Sequence, residues 1–175
     1  MASILVTDRL ILRPLSPDDA APTVGLMTPA IACWTGSWIG EETPDRVADR
    51  IDRYLKTEQR GFAINRVVTL KTTGELMGWM GVRRLDEHPE RGALGYWIGE
   101  PWFGQGYTRE AVRALVPYAF NILDLQVIEA AAQTANAASL AVLRGLGMRH
   151  MGQRHEFAPA RGVSDLCDWF EVDRS

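Results

Sequence analysis

The chain is poor in the residues that build metal and disulfide sites. Its 175 residues include two cysteines, Cys33 and Cys167, and three histidines, His88, His150 and His155. The cysteines lie far apart, with no Cys-x-x-Cys pair and no histidine at zinc spacing. Reduced thiols are therefore expected, with neither a disulfide framework nor a metal site. No apolar run approaches the ~20 residues needed to span a bilayer, and no linker-like stretch divides the chain. Positive charge is not in excess either. With 19 Lys+Arg against 22 Asp+Glu, the formal net charge is −3, and the basic footprint that nucleic acid requires is missing. The opening Met1-Ala2-Ser3-Ile4-Leu5-Val6 lacks the basic start and apolar centre of a secretion signal. What remains is an ordinary globular composition, 46% hydrophobic and 23% charged, so one domain over residues 1–175 is the expectation. A cytoplasmic protein without membrane or nucleic-acid partners follows from the same absences.

The apolar period switches several times along the chain. Ile4 to Leu15 alternates and ends at Pro14, as a first strand would. Ser16-Pro17-Asp18-Asp19 and Thr43-Pro44-Asp45 each place a hydroxyl cap before proline and acid, opening a short helix and then a longer one that ends at Gly61. Phe62 to Leu70, Leu76 to Leu85 and Ala93 to Gly99 read as an antiparallel meander. Gly106 to Leu123 is helical in period, with Pro117 expected to kink or break it. Val127 to Gln133 is a short strand, Asn136 to Leu146 a helix ended by Gly147, and two strands flank the Pro159 to Gly162 turn. The order is β-α-α-β-β-β-α-β-α-β-β. It predicts an α/β (α+β) fold with a mostly antiparallel sheet of about seven strands and helices on both faces. Ala93–Gly99 and Val127–Gln133 become parallel neighbours through a helical crossover.

Chemistry concentrates in Glu100-Pro101-Trp102-Phe103-Gly104-Gln105-Gly106-Tyr107-Thr108-Arg109. Two glycines sit between a strand-like and a helix-like segment, where positive φ and the unpaired N–H groups of a helix start suit a pyrophosphate. The segment is not a Walker loop, and Arg109 stands where a dinucleotide fingerprint needs its third glycine. From these residues alone, a tight turn capping an ordinary helix is an equal reading.

Taken with Leu94-Gly95-Tyr96-Trp97, Asn136-x-x-Ser139, Leu146-Gly147-Met148 and the opening Thr7-Asp8-Arg9-Leu10-Ile11-Leu12-Arg13-Pro14, this segment resembles the GNAT acyl-CoA N-acyltransferase superfamily. Within it, the chain looks most like the ribosomal-protein N-terminal acetyltransferases. The resemblance implies acetyl-CoA as acyl donor, with its pyrophosphate on Gly104, Gln105, Gly106, Tyr107, Thr108 and Arg109. It also implies a strand pair splayed to admit the pantetheine, with backbone contacts at Trp97 and Ile98. An N–H of that bulged strand, at Trp97, would steady the oxyanion. Asn136 would bond the pantetheine arm and Ser139 would protonate the sulfur, although helix capping also accounts for Asn136. Trp34, Trp38 and Tyr96 are candidates for the acceptor wall, as is the Phe157 to Val163 turn, while sheet packing explains the Tyr96 and Trp97 side chains as well.

Three positions depart from the family pattern: Ala93 where a glutamate base is common, Leu143 where a tyrosine donor is common, and Thr108 where a smaller residue is usual. Asp86, Glu87 and His88 are the nearest replacements for the base. The implied reaction is acetyl transfer to a primary amine by direct attack in a ternary complex. The amine is a protein N-terminal α-amine or a small molecule. At neutral pH an α-amine of pKa ~7.7–8.0 is about a tenth neutral, whereas a lysine at ~10.4 is neutral in only a few molecules per ten thousand. The alternative is a non-catalytic acyl-CoA-binding regulator or interaction protein. Exposed sheet edges would permit a homodimer.

Overall fold

The computed structural model describes residues 3–174. Eight strands form one sheet in the spatial order β1-β2-β3-β4-β5-β6-β8-β7. In chain order these are β1 (Leu5–Val6), β2 (Leu10–Pro14), β3 (Ala63–Leu70), β4 (Leu76–Arg84), β5 (Arg91–Ile98), β6 (Val127–Gln133), β7 (Arg149–Ala158) and β8 (Val163–Asp173). All neighbours are antiparallel except β5 and β6. The expected count of about seven becomes eight because the first predicted strand folds back on itself. Thr7 N–H donates to the Leu10 carbonyl at 2.9 Å, its hydroxyl accepts from Leu10 N–H at 3.0 Å, and Leu5 then pairs with Leu12.

Helices α1 (Ala20–Leu26), α2 (Pro29–Ala32) and α3 (Pro44–Gln59) cover one face, and α4 (Tyr107–Ile122) and α5 (Ala137–Gly145) the other. A capping box precedes α1, with Ser16 accepting from Asp18 N–H at 3.3 Å and Asp19 accepting from Ser16 N–H at 2.7 Å. Thr43 caps α3 by accepting from Arg46 N–H at 3.3 Å. Helix α2 has no counterpart among the elements expected from sequence, because four residues are too few to show a period. Helix α4 runs unbroken through Pro117, correcting the expected break. Interior proline costs about 3 kcal/mol, whereas burying Val112, Leu115 and Phe120 against the sheet returns roughly 1.5–3 kcal/mol each.

What this frame does for function is to open a gap. β5 and β6 pair at only three positions, Arg91↔Val127, Gly92↔Ile128 and Ala93↔Glu129. Beyond Ala93, β5 stays with β4 as far as Ile98, and β6 stays with β8 as far as Gln133. The closed end is clipped by Arg91, which donates to Glu129 at 2.9 Å and also to Glu171. Among the described residues, no helix is long and apolar enough to cross a membrane.

Candidate active site

The direction of each backbone group along β5 follows from its two ends. Gly99 N–H donates to the Met77 carbonyl at 2.7 Å and Leu85 N–H donates to the Arg91 carbonyl at 2.9 Å. Strand alternation then turns the backbone of residues 91, 93, 95, 97 and 99 toward β4, and that of 94, 96 and 98 toward β6. Past Ala93 the second set has no strand partner. A row of inward N–H and C=O groups calls for one, and such a row is open to strand addition by an amide-bearing chain.

Ile98, expected from sequence to contact the pantetheine, has its backbone turned to the gap. Trp97 does not. Its register partner is Trp79, no bulge interrupts β4–β5, and its N–H is committed to β4. The N–H groups of Leu94 and Tyr96 face the gap instead.

The gap opens into a cavity of about 790 Å³ that reaches both faces of the sheet. At one end lies the segment Gly104 to Arg109. Gly104 and Gly106 hold φ of +72° and +78°, the left-handed region that a Cβ disfavours. Gly106 is the N-cap of α4 and offers no side-chain cap, so the N–H groups of the first turn have no intrahelical acceptor. Such a set of free N–H groups at the positive end of a helix suits an anion. Gly104, Gly106, Tyr107, Thr108 and Arg109 line the cavity. Gln105 does not: its amide donates to the Pro101 carbonyl at 3.0 Å and its own carbonyl accepts from Arg9 at 3.0 Å.

This loop is held from the far end of the chain. Glu110 accepts from the Thr7 hydroxyl at 2.6 Å, from Arg9 N–H at 2.9 Å and from Arg9 Nε at 2.6 Å, and the Arg9 guanidinium lies 4.2 Å from the Tyr107 ring centroid. Burial alone would raise the Glu110 pKa, but these hydrogen bonds and the Arg9 charge together bring it below the usual value. A carboxyl lowered on folding adds stability above its unfolded pKa of ~4.3 and loses it as pH falls through the folded value. Glu110→Ala is expected to weaken acetyl-CoA binding about tenfold without touching ligand, the scale of one lost charge-assisted bond, as calorimetry would show. It should also flatten the acid limb of thermal stability.

On the α4–α5 face, the Tyr96 hydroxyl meets Ser139 Oγ at 2.8 Å across the gap. Burial, partly opposed by the Ser139 hydrogen bond, pushes the Tyr96 phenol up to about 12. Asn136 caps α5, its side chain accepting from Ser139 N–H at 3.1 Å, while also lining the cavity. Leu143 is buried in the core away from it.

On the opposite face, Trp38, Trp79 and Trp97 pack edge-on and stacked, with ring centroids 5.2–6.5 Å apart, beside the half-exposed Trp34. Tyr96, grouped with Trp34 and Trp38 from sequence, lines the same cavity from the other side of the sheet. Gln133 donates to the Cys33 carbonyl at 2.7 Å, Ala160 N–H to the Gly36 carbonyl at 3.1 Å, and Arg161 to the Thr35 carbonyl at 3.3 Å. These bonds lay the 157–163 turn against the tryptophan segment.

The base candidates of the loop after β4 stand outside the lining: Asp86 is 92% exposed, and His88 faces Glu90 at 3.7 Å. Glu156 is a carboxylate that sequence reasoning passed over. It stands on the outer strand β7 opposite Asp165, outside the cavity lining and within electrostatic reach of Glu129. Burial first, and then Glu129, raise its pKa despite Arg154. Cys167 nearby is kept as a thiol by burial and by Asp165 and Glu156, so it makes a poor nucleophile.

A forked sheet, a helix start with free N–H groups at its mouth and a two-faced cavity together make up the candidate site. A profile of the family described as an acetyltransferase (GNAT) domain matches residues 9–149. The chain belongs to the GNAT acetyltransferases, and with them to the acyltransferases. It is 28% identical over 167 residues to the uncharacterised N-acetyltransferase p20 of Bacillus licheniformis, covering 90% of this chain and 89% of that one. The ribosomal-protein-S5-alanine acetyltransferase of Vibrio fischeri shares the fold at a TM-score of 0.85 and 20% identity, over 99% and 97% of the two chains. A microcin C7 self-immunity acetyltransferase, solved with acetyl-CoA and AMP, does so at 0.84 and 16%, over 95% and 93%.

Proposed function

We propose that the protein transfers an acetyl group from acetyl-CoA to a primary amine, either a peptide α-amine or a small-molecule amine, by direct attack with both substrates bound. The observation that carries this reading is the row of unpartnered β5 backbone groups facing β6, ending at the Gly104–Arg109 anion site. When bound there, acetyl-CoA supplies an activated thioester carbonyl. The amine nitrogen forms the new C–N bond, the C–S bond breaks, and the thiolate departs with a negative charge.

The gap-facing N–H groups of Leu94 and Tyr96 are placed to donate to the carbonyl oxygen as it gains charge, a contribution worth roughly 2.7–4 kcal/mol per donor in acyl transfer. Holding amine and carbonyl together can contribute ~7–11 kcal/mol. Ser139 and Tyr96 act at the sulfur as a hydrogen-bonded pair. A phenol at about 12 facing a thiol of ~8.5 would lose more than three powers of ten by surrendering its proton. The pair therefore steadies the thiolate as donors, and the leaving group takes its proton from water. Tyr96→Phe and Ser139→Ala are each expected to lower kcat about tenfold, with the double variant little worse because the two act through one contact. Saturating initial rates check this.

The cavity lining holds no aspartate, glutamate or histidine among the described residues, so the acceptor is expected to react as the neutral amine and to give its proton to water. Calorimetry with acetyl-CoA, followed by thiol release on adding amines, tests the reading. Absence of acetyl-CoA binding overturns it.

A further inference from the structure

The sheet face under α1–α3 carries a trough whose chemistry narrows the acceptor. We infer that the acceptor bears an anion, a carboxylate close to its amine, together with a ring-sized apolar group, and no second cation. This inference rests on the N-acetyltransferase reading and names the substrate class of that same site.

The trough is laid out by register. Arg83 pairs with Ala93 at the fork, Gly81 with Gly95 in the middle, and Trp79 with Trp97 at the far end, so its ends stand about 13 Å apart, four strand residues. A Cβ at Gly95 would meet nothing within 4 Å, whereas the space above Gly81 is taken by Asn65, whose Oδ1 would lie 2.8 Å from a Cβ there. The opening over Gly95 adjoins the gap, which puts the amine at the trough's centre. One flank then faces Arg83 and the other the indoles.

Charge decides what the flanks accept. Among the described residues the cavity lining contains no aspartate or glutamate, and its charged members are Arg83 and Arg109. The Arg83 side chain is 57% exposed, bonds weakly to the Arg84 carbonyl at 3.3 Å, and reaches only Asp86 at 4.0 Å. It is a cation with no close counter-ion, and a carboxylate suits it. The indole end could hold a cation over a ring face. However, the Arg50 guanidinium already sits 4.0 Å from the Trp38 centroid and opposes another. Trp97 adds a buried indole N–H without a partner among the described residues, a donor suited to a neutral or anionic acceptor and not to a polyamine.

The test compares L-phenylalanine, L-phenylalaninamide, an amidated dipeptide Phe-Glu and spermidine as acceptors by thiol release, with wild type and Arg83→Gln. Either carboxylate compound should exceed phenylalaninamide and spermidine in kcat/KM by roughly tenfold or more, the scale of one charge-assisted bond. Arg83→Gln should remove that preference through KM, leave acetyl-CoA binding as it was, and be partly rescued by Arg83→Lys. Preference for phenylalanine assigns the anion to a free amino acid, and preference for the dipeptide assigns it to an acidic peptide start. Equal or better use of the amide or spermidine overturns the inference, as does a preference that survives in Arg83→Gln. If acetyl-CoA binds but no amine releases thiol, the catalytic reading fails. Calorimetric binding of phenylalanine, but not its amide, to the coenzyme A complex then upholds the trough's chemistry, and no binding overturns it.

Discussion

Gly106→Glu is expected to weaken acetyl-CoA binding by about a hundredfold or more, roughly 2.7 kcal/mol. Two effects combine. At φ +78° any side chain costs on the order of 1–2 kcal/mol of backbone strain, which relaxes by moving the first turn of α4 away from its anion-binding pose. The new carboxylate would also stand at the helix start where the pyrophosphate must sit, setting like charge against like at the positive end of the dipole. The fold should survive, since a Cβ at Gly106 meets nothing nearer than Arg9 Nη2 at 3.7 Å. Gly106→Ala carries the strain alone and should lose less than about tenfold. Calorimetry on the three proteins, with melting curves as a folding check, separates strain from charge. Equal affinity in wild type and the glutamate variant would remove the pyrophosphate from this loop.

The pH dependence of kcat/KM should follow the ionisation of the acceptor amine, falling about tenfold for each pH unit below its pKa. The cavity lining holds no aspartate, glutamate or histidine among the described residues, so no carboxylate or imidazole there takes the proton. Glu156→Gln, on the outer strand β7, should leave rate and profile as they are. Initial rates across pH with acceptors of different amine pKa check this. A limb that stays at the same pH when the acceptor changes, or a roughly hundredfold loss in Glu156→Gln, would place a protein base at the site.

The boundary between what the sequence displayed and what it hid follows the range of the interactions. Caps at Ser16 and Thr43, the glycines at 104 and 106 and the Asn136 helix start are local devices, and they were legible residue by residue. The order of elements anticipated the parallel pair, because a helix between two short strands leaves few topologies. Register was not legible. Whether Trp97 or Tyr96 turns its N–H to the gap depends on where Gly99 meets Met77, which no local pattern encodes. The doubling of the first strand, the grip of Thr7 and Arg9 on Glu110, the approach of Glu156 to Glu129 and the opposition of Arg83 to Ala93 are likewise products of sheet pairing. Glu156 in particular lies in an exposed, polar strand that reads as surface, and its partial burial and the nearness of Glu129 raise its pKa only once the sheet has formed.

The account stands most directly on a time course of thiol release from acetyl-CoA with stoichiometric enzyme, before and after L-phenylalanine is added. Direct transfer at the forked sheet predicts no release before the amine and continuous release after it, at a rate that rises with amine concentration. A burst equal to the enzyme concentration without amine would show an acyl-enzyme and contradict direct attack. Bound acetyl-CoA that no amine in the panel converts would contradict the transferase assignment of this site.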